Sequence, residues 1–187
     1  MQDQDDRQLI ISYLQGNEQS LEILIAKYLK IIYGFIYGYV NDQAIAQDIT
    51  QETFIKVWKN IQKFDKEKKF KSWIFAIAKN TALDYLKRKN AIPFSVFENE
   101  EGKNAFLESL ADNSLLQNKM AERLDTKDVI ALAMKRLSFK YRRVLSLYYN
   151  KHFNFREISE ILGESLNTIK SRHRRGLVML KDIISEQ

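Results

Sequence analysis

Cysteine is absent from the 187 residues, proline occurs only once, at position 93, and there are six glycines. Without cysteine the chain has no disulfide framework, no thiolate nucleophile, no iron–sulfur cluster and no zinc site of the usual thiolate kind, a composition suited to a reducing cytoplasm. The scarcity of proline and glycine excludes collagen-like and Pro-rich repeats. Only two histidines occur, His152 and His173, and neither has a carboxylate or a second histidine at ligand spacing. No metal or cofactor is therefore expected. No paired acids, nucleophile with base, or metal-ligand set stands out either, so no catalytic residue is assigned and the chain is not read as an enzyme.

A long uncharged run is also missing. In the most apolar stretch, Leu21 to Val40, Lys27 and Lys30 interrupt, leaving only Ile31 to Asn41 without charge. A membrane-spanning helix needs roughly 20 such residues, so this run is too short. Residues Met1 to Arg7 are acidic before any apolar side chain, the reverse of a signal peptide. The expectation is a soluble cytoplasmic protein with no membrane insertion.

What is present is an apolar fraction of 45%, enough for one or two small cores, and a net charge of +6 from 30 Lys+Arg against 24 Asp+Glu. That charge is unevenly placed. Residues 1–90 hold 14 basic and 11 acidic side chains, residues 91–127 hold 4 and 7, and residues 128–187 hold 12 and 6, giving +3, −3 and +6. A basic C-terminal third tethered through an acidic stretch to a nearly balanced half points to two modules, one of which meets a polyanion. The middle stretch carries the single proline, Pro93, and the Glu98 to Gly102 acidic cluster, and its apolar residues keep no period of 3.6 or 2. It is read as a flexible linker over 91–127, between domains at 1–90 and 128–187.

Both domains are expected to be small and helical, an all-α fold. Leu9, Ile10, Tyr13 and Leu14 form a short amphipathic helix ended near Gly16, and Ser20 precedes Leu21, Leu24, Ile25 and Tyr28 at i, i+3, i+4 and i+7. Residues 42–64 read as one helix with Ile45, Ile49, Phe54, Val57, Trp58 and Ile61 inward and Asp48, Gln51 and Glu52 on another face, either a solvated acidic surface or a docking face. After the polar break at Asp65 to Lys69, a helix from about Lys71 to Lys89 places Trp73, Ile74, Ile77, Leu83 and Leu86 in the core. Rings at Trp73, Phe75 and Tyr85 interleaved with Lys71, Lys79, Asn80, Lys87 and Arg88 are either bundle core or a site where rings stack on unpaired bases and cations track phosphates. Gly34 and Gly38 are spaced for close helix packing.

In the C-terminal module, Leu137, Val144, Leu145, Leu147 and Tyr148 give a first helix with Tyr141 to Arg143 on its exposed side. Asn154 and Glu157 form a capping box for a short helix through Ile158, Ile161 and Leu162, which Gly163 ends. Ser165 then caps a second helix, with Ile169, Leu177, Val178 and Leu180 as its buried side. Two helices joined by a three-residue turn with glycine make a helix-turn-helix. The N-terminal half of the second helix carries Asn167, Thr168, Lys170, Ser171, Arg172, Arg174 and Arg175, the end such motifs present to base edges in the major groove. If four of the cations neutralise phosphates, the salt slope is about −3.6, on the order of a hundredfold loss of affinity between 50 and 200 mM salt.

Three blocks together resemble the extracytoplasmic-function branch of the RNA polymerase sigma factors, of the sigma-70 family. They are Asp48-Ile-Thr-Gln-Glu-Thr-Phe-Ile-Lys-Val-Trp58, Phe70-Lys-Ser-Trp-Ile-Phe-Ala-Ile-Ala-Lys-Asn-Thr-Ala-Leu-Asp84, and Ile158 to Gly163 with Thr168-Ile-Lys-Ser-Arg172. The resemblance implies that Asp48, Gln51, Glu52, Lys56 and Lys59 bind core RNA polymerase. It further implies that Asp65, Lys66, Lys68, Lys71, Trp73, Asn80, Lys87 and Arg88 capture and melt the minus-ten element of promoter DNA. Ser165, Asn167, Thr168, Lys170, Ser171, Arg172, Arg174 and Arg175 would read the minus-thirty-five element. An anti-sigma factor is the implied regulator, and the free protein is expected to be a monomer. The chain departs from many family members at Leu137-Ser138, where they have Leu-Pro; Ser138 offers an N-cap instead. Gly176, inside the reading helix, costs up to about 1 kcal/mol of helix propensity and permits either close packing or fraying. A DNA-binding regulator acting outside polymerase would need the helix-turn-helix but not the Asp48 to Trp58 face.

Overall fold

The structure, a computed structural model, describes residues 2–90 and 126–185. All regular elements among the described residues are helical, and the chain divides into two compact units, Met1–Ile92 and Pro93–Gln187. The linker expected over 91–127 lies outside the described residues apart from its last two positions, which begin a helix.

The first unit is a four-helix bundle of α1 (Gln2–Leu14), α2 (Glu18–Val40), α3 (Gln43–Asn60) and α4 (Phe70–Asn90), with a 3₁₀ turn at Ile61–Lys63. Gly16, at φ 101°, takes the left-handed turn after α1 that residues with a Cβ rarely adopt. Helix α2 starts three residues earlier than the apolar spacing implied, after Asn17, and Ser20 lies buried inside it with its hydroxyl 2.9 Å from that of Ser12. At 23 residues α2 is also longer than its charge-free run, and it is the one described helix apolar enough by length and composition to cross a membrane. Its Leu21, Leu24, Tyr28, Ile32, Ile36 and Tyr39 form a core face of the bundle. Asn41, at φ 49°, ends it, and Asp42 caps α3 by accepting from the Ile45 amide at 3.0 Å.

The core combines that face with Ile10, Ile49, Val57, Ile74, Phe75 and Ala78. Each of the larger side chains contributes about 1.5–3 kcal/mol by leaving water. One buried carboxylate interrupts this core. Asp6, 1% exposed, accepts from the Tyr28 hydroxyl and from Lys27 Nζ at 2.6 Å, fastening α1 to α2. Burial alone would lower the Lys27 pKa, but hydrogen bonds and charge from Asp6 and Asp5 outweigh it and hold the ammonium above its usual 10.5. Gly34 and Gly38 do not serve close packing: both are exposed, and a Cβ at either would meet nothing within 4 Å.

The second unit contains α5 (Thr126–Arg136), α6 (Phe139–Leu145) running into a π turn at Ser146–Asn150, α7 (Phe155–Leu162) and α8 (Leu166–Ser185). Helix α8 packs on α5, α6 and α7. Ser138 stands at the N-cap of α6, but its hydroxyl makes no capping bond. Tyr141 to Arg143 are not the exposed side expected of that helix: Tyr141 is 6% exposed beneath α8, and Arg143 is paired with Glu164. Nor do Leu177 and Val178 form a buried side, at 37% and 56% exposure. Gly176 takes the contact position instead, so the two residues after it turn outward.

Candidate nucleic-acid and polymerase interfaces

Helix α3 buries Ala46, Ile49, Thr50, Thr53, Phe54 and Val57, and the two threonine hydroxyls return to the carbonyls of Ala46 and Ile49. At 100° per residue, Asp48, Gln51, Ile55, Trp58 and Lys59 then share an arc of about 100° on the opposite side. All five are exposed, Ile55 at 50% and Trp58 at 54%. Trp58 is thus not part of the core stripe, because Phe54, Val57 and Ile61 fill that side and residue 58 falls just beyond its edge. Two large apolar side chains among Asp48, Gln51 and Lys59 make a mixed surface of the kind partners cover. Their spacing of 48, 51, 55 and 58 was readable as a second stripe, but apolarity alone drew Trp58 inward.

Glu52 and Lys56 leave that arc and turn toward α4. Their side chains pair at 2.9 Å, Arg88 Nη2 lies 3.8 Å from Glu52, and Lys56 Nζ donates to Thr81 Oγ1 at 3.1 Å. The five residues expected to share a polymerase face are therefore divided between two.

Between α3 and α4 an open cleft of about 490 Å³ is lined by Lys56, Asn60, Lys63, Trp73, Ile77, Asn80 and Thr81. Trp73 is half-buried and leans on Phe64 and Phe70, with ring centroids 4.9 and 5.7 Å away. An indole wall, the Asn60 and Asn80 amides and the Lys56 and Lys63 ammonium groups suit an unpaired base with its phosphate. The cleft brings Trp73 and Asn80 together, with Trp73 at its wall and not in the core. Asn60 and Lys63, outside the residues the sequence pattern singles out, line the cleft as well, because α3 packs there on α4. Lys87 and Arg88 line an adjoining depression with Glu52, Lys56 and Asp84.

Lys66 and Lys68 are exposed on the preceding loop and border a different hollow with Asp6, Arg7, Phe64 and Phe70. Asp65 shapes that loop: its Oδ1 accepts from the Glu67 amide at 3.0 Å and its carbonyl from the Lys68 amide at 3.0 Å. Arg7 Nη2 holds Glu67 Oε1 at 2.6 Å, so α1 steadies the loop. Lys71 is half-buried in the first turn of α4.

The helix-turn-helix is built as its caps dictate. Asn154 Oδ1 accepts from the Glu157 amide at 3.0 Å while Glu157 Oε2 accepts from the Asn154 amide at 2.7 Å. Gly163, at φ 66°, ends α7, and Ser165 Oγ accepts from the Thr168 amide at 3.1 Å to begin α8. Asn167, Lys170, Ser171, Arg174 and Arg175 are exposed on α8, whereas Thr168 and Arg172 are half-buried. Arg172 is held by Glu164. Lys140, from α6, joins Asn167, Ser171 and Arg175 around a shallow depression of about 340 Å³, with the Glu164-paired Arg172 also in its wall. Sequence reasoning could not place Lys140 there, since its contribution depends on how α6 crosses α8.

His173 sits among Tyr148, Tyr149 and Phe155, with centroids 4.8, 5.7 and 5.0 Å away, and burial pushes its imidazole below the usual 6.5. No group of three His, Cys, Asp or Glu able to hold a metal occurs among the described residues.

Comparison with known proteins adds an independent line. The family described as Sigma-70 region 2 matches residues 24–92, and Sigma-70, region 4 matches residues 133–182. The ECF RNA polymerase sigma factor SigW of Bacillus subtilis is 30% identical over 169 residues, covering 89% of this chain and 90% of that protein. SigM of the same organism is 30% identical over 155 residues, 81% and 87% of the two chains. In fold the chain is similar to CnrH in complex with the cytosolic domain of CnrY, at TM-score 0.65 and 19% identity over 98% of this chain and 99% of that one. It is also similar to the sigma factor RpoE in complex with the anti-sigma factor NepR from Bartonella quintana, at TM-score 0.61 and 19% identity over 88% and 96%.

Proposed function

The chain belongs to the extracytoplasmic-function sigma factors of the sigma-70 family, which direct transcription initiation, and on that premise we propose a division of labour between its two units. Factors of this family are regulators of initiation rather than enzymes, and phosphoryl transfer stays with the polymerase. Residues 1–90 dock on core RNA polymerase and open the minus-ten element. Residues 91–127 tether the two domains. Residues 128–187 read the minus-thirty-five element as duplex.

The docking surface is the α3 arc of Asp48, Gln51, Ile55, Trp58 and Lys59, with Glu52 and Lys56 at its border with α4. Apolar side chains supply the buried centre and the charged ones the register. An unpaired minus-ten base enters the cleft beside Trp73, where Asn80 and Asn60 meet its polar edge and Lys56 and Lys63 meet the phosphates. Lys66, Lys68, Lys71, Lys87 and Arg88 hold the flanking backbone, with Asp65 shaping the loop. In the second unit the early α8 residues Asn167, Lys170 and Ser171 approach base edges in the major groove, and Arg174 and Arg175 hold phosphates. An anti-sigma factor that covers these faces keeps the monomeric free protein inactive in the cytoplasm; the NepR-bound RpoE fold supports that reading by analogy.

The observation that carries the proposal is the exposed Ile55 and Trp58 on α3, because a regulator that only bound duplex DNA would have no use for that face. Purified core polymerase provides the test. The chain is expected to co-elute with core and to start promoter-specific transcripts with it; failure of both while duplex binding persists would favour a DNA-binding regulator acting outside polymerase.

A further inference from the structure

Glu164 occupies the turn between α7 and α8, and its side chain is only 20% exposed. Two arginines share it. Arg143, from α6 and 11% exposed, donates through Nη2 to Oε1; Arg172, from α8 and 24% exposed, brings Nη1 to Oε2. Each carboxylate oxygen thus has its own guanidinium, Arg143 by a hydrogen bond and Arg172 by an ion pair between two buried atoms that have no other partner among the described residues. The backbone of Glu164 is fixed as well, since its amide donates to the Ser159 carbonyl at 3.1 Å and its carbonyl accepts from the Ser159 hydroxyl. One acidic side chain therefore joins the turn, the helix beneath and the helix that faces DNA.

A mostly buried guanidinium held by a carboxylate is not available to a phosphate unless that pair is broken, and breaking it leaves a charge without its partner. Arg174 and Arg175 lie outside this network and are exposed. We propose that Glu164 is a positioning residue that withholds Arg172 from DNA and uses it to set the pitch of α8, so that Arg172 is a brace and not one of the duplex contacts. The inference rests on α8 being the duplex-reading helix, and it removes one residue from the set that the sequence pattern placed there. It also names a specificity determinant off the DNA surface: the angle at which Asn167, Lys170 and Ser171 enter the groove depends on a carboxylate that touches no base.

Salt dependence separates a brace from a phosphate contact, because each neutralised phosphate adds about 0.9 to the slope of log K against log salt. The full chain is titrated with a fluorescent duplex of random sequence between 50 and 200 mM salt for the parent, Arg172→Ala, Arg174→Ala and Glu164→Gln. Arg174→Ala is expected to flatten the slope by about 0.9, and Arg172→Ala to leave it at the parent value. Glu164→Gln, with a thermal melt confirming that it folds, is expected to steepen the slope by about 0.9, an additional loss of about 3.5-fold across that salt range, as the released Arg172 finds a phosphate. A slope flattened by Arg172→Ala as much as by Arg174→Ala would overturn the proposal, as would an unchanged slope in folded Glu164→Gln. Should Glu164→Gln fail to fold, the Arg172→Ala slope decides alone. A parent that binds no duplex at any salt would instead overturn the reading of α8 itself, and this inference with it.

Discussion

Lys56 Nζ donates to Thr81 Oγ1 at 3.1 Å, a bond that crosses from α3 to α4 in the wall of the cleft. Thr81 is fully buried and passes its own hydroxyl hydrogen to the Ile77 carbonyl at 2.9 Å, so its oxygen is oriented to accept from the ammonium. The same ammonium is 2.9 Å from Glu52. Lys56 is thereby held between the face assigned to polymerase and the cleft assigned to DNA. Thr81→Val keeps the shape and removes the acceptor. Bonds to charged groups contribute about 1.5–3 kcal/mol when enclosed, and the part-exposed Lys56 reduces that to about 1 kcal/mol. Urea unfolding is expected to show a midpoint lowered accordingly, with little change in polymerase affinity; an unchanged midpoint would mean water replaces the bond at no cost.

Trp58→Ala separates docking from stability. With 54% of its surface exposed, Trp58 contributes little to the bundle, and truncation should shift unfolding by about 0.5 kcal/mol or less. In a partner interface an aromatic anchor of this kind contributes about 2 kcal/mol or more, close to a thirtyfold change in affinity. Binding of labelled protein to core polymerase is expected to weaken by that factor, with Ile55→Ala behaving alike but less strongly. Tight binding by Trp58→Ala would move the docking surface off this arc.

At Gly176 propensity and packing oppose each other. Alanine there gains up to about 1 kcal/mol of helix propensity. Its Cβ, however, would lie 3.2 Å from Tyr141 Cβ and 3.3 Å from Leu145 Cδ1. Leu145 has a rotamer to yield, but Tyr141 Cβ moves only with the α6 backbone, and overpacking of this kind costs about 1–3 kcal/mol. The expected result is net destabilisation of about 1 kcal/mol in thermal or chemical unfolding. Gly34→Ala and Gly38→Ala, with open space around them, should instead stabilise by about 0.5–1 kcal/mol. Sequence spacing alone assigns close packing to Gly34 and Gly38 and leaves Gly176 open between packing and fraying, whereas of the three only Gly176 is closely packed.

The contrast among the glycines separates what is local in the sequence from what depends on packing. The capping box at Asn154 and Glu157, the left-handed Gly163 and the Ser165 cap depend on neighbours three or four residues away, and all three were readable from residue order. So were Leu21, Leu24 and Tyr28 of α2, Ile49, Phe54 and Val57 of α3, and Ile74 and Leu86 of α4, which the 3.6 period separates from exposed neighbours, whereas Ile77 and Leu83, expected in the core of α4, are only half-buried. What was not legible depends on which helix lies opposite. Tyr141 looks like a surface residue beside two arginines until α8 covers it, and Trp58 looks like core until Val57 and Ile61 occupy that space. Arg172 belongs to the same class, since nothing within its own helix announces the carboxylate of Glu164. In the cleft, Trp73 and Asn80 were legible on one helix at seven-residue spacing, whereas Asn60 and Lys63 needed the packing of α3 on α4.

His173 makes the stability of the second unit depend on pH. Its imidazole packs against Tyr148, Tyr149 and Phe155, and burial disfavours the protonated form, so the folded pKa lies below the unfolded value of 6.5. The unfolded chain then binds the proton more readily than the folded one. Stability contributed by the neutral ring is fully present above about pH 6.5 and declines as pH falls from there through the folded pKa, where folded His173 at last takes up a proton too. His173→Phe keeps a ring in the cluster without a titratable nitrogen. Unfolding midpoints followed from pH 8 down to pH 5 are expected to fall less steeply in the variant than in the parent. Identical profiles would place the parent's acid sensitivity elsewhere in the chain, and a steeper fall in the variant would mean that the rings around His173 favour its charged form.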